Sequence, residues 1–176
     1  MQQRGVPTMT SGDDCRHLSP ILFPTLGPNN PPAAISPDGS DKHNIRKVDV
    51  AKDDLYRPRW IRKEGSSREG WCGYCKPGVW ANLKHSNYSY HLLTRHGLCK
   101  RAIGKQLEPP QGLRLLHCQS DHDSNASVPI LQAFCQHCHV YTQLSGNPTL
   151  PCDYQRLTAS WYTHAKECFH KGCTST

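Results

Sequence analysis

Apolar residues along this chain gather in short runs, not in long periodic stretches. Residues 1–54 hold seven prolines, with Pro31 and Pro32 adjacent, and scattered Gly, Asn, Asp and Ser. Their one apolar run, PILFPTL, is interrupted by Pro20 and Pro24. Burial within such a segment cannot offset the entropy of ordering it, so residues 1–54 are expected to form a disordered, proline-rich N-terminal region. Two later stretches carry helical signals. In KHSNYSYHLLTRHG, Tyr88 lies three residues before His91 and shares its helical face. That helix is expected to begin near Lys84–Ser86, with Ser86 as N-cap, and to end at Gly97, a residue suited to the left-handed C′ position. In WYTHAKEC, Trp161 stands three before His164 in the same way. Pro77-Gly78 marks a turn, and Glu108-Pro109-Pro110 stops any helix that runs on from Leu98. The stretches 119–127 and 145–153 read as loops, and residues 107–131 as a linker.

Only 36% of the 176 residues are hydrophobic, and there are 14 prolines and 13 glycines. Such a chain cannot build one large apolar core, and small folds with thin cores need disulfides or a metal. Ten cysteines could serve either purpose. The opening MQQRGVPTMTSGDDCRH has no apolar run like that of a signal peptide. No stretch approaches the roughly 20 apolar residues of a membrane span. The expectation is therefore an intracellular protein, whose thiols stay reduced and bind metal.

Charge is unevenly placed. Residues 1–54 carry six Lys/Arg against seven Asp/Glu, and residues 107–176 carry four against five. Residues 55–106 carry eleven basic residues, opposed only by Glu64 and Glu69. A patch focused on one module attracts phosphate or an acidic partner, where an even spread would serve solubility alone. The approach RPRWIRKEG reads as a basic arm, with Trp60 either packing on the module or meeting a ligand.

That module holds the first ligand pattern. Two residues separate Cys72 from Cys75, four separate His91 from His96, and fifteen separate the pairs. Two thiolates on a tight turn and two imidazoles on a helix match a structural zinc site, although the usual gap is about 12. His85 and Cys99 are rivals for a ligand position. A second pattern repeats the plan: Cys135 and Cys138 pair with His164 and Cys168, with His170 as a rival for the fourth place. Cys15, His17, His117, Cys118, Cys152 and Cys173 read as idle or spectator residues. Two Zn2+ ions are thus expected. Closed four-ligand shells leave no position for a catalytic water, so no enzyme is expected.

The order PRWIRKEG, WCGYC, KHSNYSYHLLTRHG, FCQHC and WYTHAKEC resembles the C-terminal zinc-finger domain of the fungal ustilagic acid regulator family, over roughly Tyr56 to His170. The resemblance implies a nuclear regulator that binds double-stranded DNA. The fold class expected is a small zinc-stabilised α+β protein. Its Cys2His2-like module and basic arm occupy residues 55–106, its Cys2HisCys-like module residues 132–171, and a tail residues 172–176. Lys84, Asn87 and Tyr90 take the positions from which a finger helix reads bases. Arg57, Arg59, Arg62, Lys63, Arg95, Lys100 and Arg101 are the candidate phosphate contacts. The second helix offers Leu157, Ser160 and Thr163 at the same positions and is expected to buttress the first module. The competing reading is a zinc-stapled module that binds an acidic protein. Neither a membrane nor a small-molecule partner is expected.

Overall fold

The structure is a computed structural model that describes residues 15–33, 44–100, 105–119 and 127–171. In chain order these form a 3-10 turn (Cys15–Leu18), the helical turn α1 (Ser19–Leu22), and strands β1 (Arg46–Lys47), β2 (Trp60–Arg62), β3 (Glu69–Cys72) and β4 (Val79–Asn82). Helix α2 (Asn87–His96) follows, then strands β5 (Gly112–Gln119), β6 (Ser127–Cys135) and β7 (Val140–Gln143), and helix α3 (Tyr154–Lys171). The fold divides into one unit of Thr25–Leu107 and another of Met1–Pro24 with Glu108–Thr176. Among the described residues no helix is long and apolar enough to cross a membrane.

In the Thr25–Leu107 unit the sheet order is β1-β2-β3-β4, with all pairs antiparallel. Strand alternation sorts the side chains onto two faces. Ile61, Gly70 and Ala81 lie in register on one face, as do Cys72 and Val79. Behind that face Cys72, Tyr74, Tyr88, Leu92 and Leu98 form the buried cluster, joined by Leu26, Leu55 and Tyr56. The other face carries Lys47, Trp60, Arg62, Trp71 and Trp80. The Trp71 and Trp80 rings sit 5.1 Å apart, the Arg62 guanidinium 4.5 Å from the Trp80 centroid, and the Lys47 ammonium 5.9 Å from that of Trp60. Trp60 thus packs within the sheet, and the middle of the basic arm is strand β2.

In the other unit the sheet order is β5-β6-β7, again antiparallel. Leu131, Ala133 and Cys135 alternate inward along β6, and α3 buries Leu157, Trp161, Tyr162, Ala165 and Cys168. Phe23, immediately after α1, sets its ring edge-on to Trp161 at 6.3 Å and to Tyr162 at 5.8 Å. The Thr158 hydroxyl donates to the Leu22 carbonyl.

Two expectations are corrected here. Residues 1–54 are not uniformly disordered: α1 docks on α3, Leu26 joins a core, and β1 completes a sheet. Composition judged only the burial available inside the segment, whereas Leu22 and Phe23 are buried, and Leu26 half-buried, against elements far along the chain. Residues 107–131 are not a linker but most of the β5–β6 hairpin, apart from 120–126, which lie outside the described residues. Pro129 lies within β6. It is tolerated because β7 pairs only with Gln132–Cys135, which leaves the rest of β6 open on that side.

Phe23→Ala is expected to destabilise the unit containing α3 by about 3 kcal/mol. Denaturant melts of that variant check this, and an unchanged midpoint would remove α1 from the folded unit.

Candidate metal centres

The first cluster stands where β3 runs out. Cys72 is its last residue, and the turn through Gly73 and Tyr74 brings Cys75 back beside it. Helix α2 supplies His91 and His96, and it stops on Gly97, whose φ of 64° is left-handed. The Gly97 N–H donates to the Leu93 carbonyl and the Leu98 N–H to that of Leu92, so the last turn is closed as expected. The start differs. Ser86 has φ 61° and makes no side-chain cap, and His85 before it has φ 55°. The extra residues of the longer Cys-to-His gap form this 3-10 turn, Lys84–Ser86.

Four donor atoms, from Cys72, Cys75, His91 and His96, lie within 4.8 Å of one another. Cys72 Sγ is 3.3 Å from His96 Nε2, and Cys75 Sγ is 3.4 Å from His91 Nε2 and 3.3 Å from His96 Nε2. Zn–S and Zn–N bonds at tetrahedral angles would set sulfur and nitrogen about 3.6 Å apart, so the cluster fits a metal of that size. The Cys75 hydrogen bond holds the Cys72 thiol far below its usual range, and the two histidines assist against burial. Cys75 is pushed up in turn, so the pair shares one proton, which a metal would displace. Buried Tyr88 closes the site from below, donating its hydroxyl to the Trp71 carbonyl.

The second cluster is built alike. Strand β6 ends at Cys135, and a turn ending at His139 (φ 56°) returns Cys138 before β7 begins. His164 and Cys168 lie four residues apart, hence on one face of α3. These four donor atoms also fall within 4.8 Å of one another, with His164 Nε2 at 3.6 Å from Cys138 Sγ and 3.4 Å from Cys168 Sγ. Burial pushes the Cys135 thiol up, but the backbone N–H groups of Cys138 and His137 and the thiols of Cys138 and Cys168 outweigh it, so its pKa is lowered. Burial also lowers the His164 pKa, which favours the neutral imidazole that a metal needs. The sequence reading missed Thr142, whose hydroxyl lies 3.4 Å from His164 Nε2 and 3.5 Å from Nδ1. Only the pairing of β7 with β6 brings it there.

Among the described residues, no further Cys or His joins either cluster. His85 is exposed, Cys99 half-buried, Cys152 exposed, and His117 faces Ser127. The side chains of Cys118 and His170, and all of Cys173, lie outside the described residues. Among the candidates for nucleic-acid contact, Lys84, Asn87 and Tyr90 are exposed together at the start of α2. Arg57 pairs with Asp54, Arg59 donates to the Lys52 carbonyl, and Arg62 and Lys63 both pair with Glu69. Lys84, Arg95 and Lys100 are exposed and make no ion pair among the described residues, while Arg101 lies outside them. At the corresponding positions of α3, Leu157 is fully buried and unable to touch a base.

Residues 50–169 match the family model described as transcription regulator Rua1, C-terminal. The chain belongs to this family. Across 141 residues it is 29% identical to "Transcription regulator rua1" of Mycosarcoma maydis, covering 80% of this chain and 17% of that protein. Across 151 residues it is 26% identical to "Meiotic expression up-regulated protein 26" of Schizosaccharomyces pombe (strain 972 / ATCC 24843), covering 82% of this chain and 40% of that protein. The chain thus spans well under half of either relative. No solved structure matches it.

The lowered His164 pKa gives a sign for pH dependence. The folded state binds fewer protons than the unfolded one, so this contribution is complete above the ordinary imidazole value of about 6.5 and is lost as pH falls through it. The melting midpoint of the α3 unit is expected to decline between about pH 7 and 5, in step with metal loss. Thermal melts by circular dichroism across that range check this, and a flat profile would contradict it.

Proposed function

We propose that the chain is a zinc-held, DNA-binding module of a nuclear transcription regulator. In this reading each Cys/His cluster takes one Zn2+, because two thiolates with two imidazoles, or three with one, are donor sets zinc favours and both clusters are closed. The observation that carries the DNA reading is the exposed trio Lys84, Asn87 and Tyr90. Asn87 and Tyr90 stand on a helix that carries two cluster histidines and Lys84 on the 3-10 turn before it, all within the segment that holds the chain's positive surplus. Lys can donate to guanine, and Asn can pair bidentately with adenine, in the major groove. Lys84, Arg95 and Lys100 are the cations with the least to give up on meeting phosphate. Arg57, Arg59, Arg62 and Lys63 would first exchange partners inside the protein, so their share of the affinity is smaller. The other unit, with Leu157 buried and a charge near zero, does not read bases.

The engaged arm also favours a second reading, a zinc-stapled module whose basic face takes an acidic protein segment. Selection from a random duplex library separates the two. A recovered consensus, with sequence-dependent loss of affinity in Asn87→Ala of about 1–3 kcal/mol, is the expected result. Equal affinity for any polyanion would support the second reading. Lys84→Ala and Arg95→Ala are each expected to reduce the slope of log K against log salt by about 1, measured by fluorescence anisotropy. A slope that both variants leave unchanged would remove these residues from the interface.

A further inference from the structure

The turn between Cys72 and Cys75 is gripped from outside. The Gly73 N–H donates to the Asn29 side-chain oxygen at 3.1 Å, and the Asn30 N–H donates to the Gly73 carbonyl at 3.3 Å. The Trp71 indole N–H donates to the Asn30 carbonyl at 2.7 Å. A side chain at Gly73 has no room, since its Cβ would run into the Asn30 carbonyl oxygen and the Asn29 amide. Leu26, just upstream, packs against the buried cluster that contains Cys72. Every one of these partners precedes residue 50, where the family match begins.

We propose that residues 26–30 are part of the first centre and that Asn29 is its positioning residue; this rests on reading that cluster as a metal centre. Both polar groups of Gly73, the residue next to Cys72, are tied to the segment. Its hold fixes the peptide planes on which the two thiols are mounted. A free Cys-x2-Cys turn would have to be ordered by the metal itself, at the expense of affinity. Gripped by Asn29 and Asn30, the turn presents both sulfurs before the ion arrives. The glycine follows from the same contact, because only a residue without Cβ lets the segment approach this closely.

The test is a cobalt(II) titration of the full chain, followed by competition with zinc. Two-sulfur and three-sulfur sites give different visible bands, so the two centres are read separately. Asn29→Ala is expected to weaken the first centre about 10-fold and leave the second unchanged. Gly73→Ala is expected to do the same, and the double variant to lose no more than either single one, because both remove one contact. Unchanged affinity in Asn29→Ala, equal loss at both centres, or additive losses in the double variant would overturn the proposal. Failure of the unaltered chain to take up cobalt would instead overturn the metal reading, and this inference with it.

Discussion

Everything in this chain depends on four donor atoms meeting at one point, twice. Each meeting joins a strand-end turn to a helix that also packs into a small core. Cys72 and Cys135 are buried at the floors of small cores, and the aromatic residues one turn before the first histidines, Tyr88 and Trp161, close them. Without a metal, each cluster would set two or three thiols side by side and raise the cost of keeping them charged. With one, structural zinc contributes about 10–16 kcal/mol, more than the usual net stability of a domain. The folded state and the loaded state are then nearly the same thing.

That constraint fixes what the surface can do. Helix α2 is anchored through His91 and His96 and buries Tyr88, while Asn87 and Tyr90 of its first turn, and Lys84 in the 3-10 turn before it, are exposed. Helix α3 is held just as firmly, but it turns Leu157 into a core and is flanked by almost no surplus charge. The same plan therefore leaves Lys84, Asn87 and Tyr90 exposed in one unit and buries Leu157 in the other. Within the basic segment the sheet has already spent several cations: Arg62 lies between Trp80 and Glu69, and Arg59 closes a loop on a backbone carbonyl.

The two Cys/His clusters were legible in the sequence because spacing on a turn and on a helix is local geometry. The helix end at Gly97 was legible for the same reason. What could not be read was everything that depends on meeting a distant strand. Thr142 reaches His164 only through sheet pairing, and Phe23 finds Trp161 from more than a hundred residues away. Residues 107–131 passed for a linker because β5 and β6 are held by pairing with each other, which no local signal announces. The proline-rich start passed for disordered because its few apolar residues are useful only in cores supplied by other segments. The N-cap at Ser86 failed for a subtler reason: the longer gap before His91 is taken up by left-handed residues, which set the hydroxyl away from the helix.

The most direct test of two zinc-held units is native mass spectrometry of the purified chain beside His91→Ala and His164→Ala. Two zinc ions in the unaltered protein, falling to one in each variant, is the predicted result. A chain that stays folded with no metal, or that keeps both ions when either histidine is removed, would contradict it.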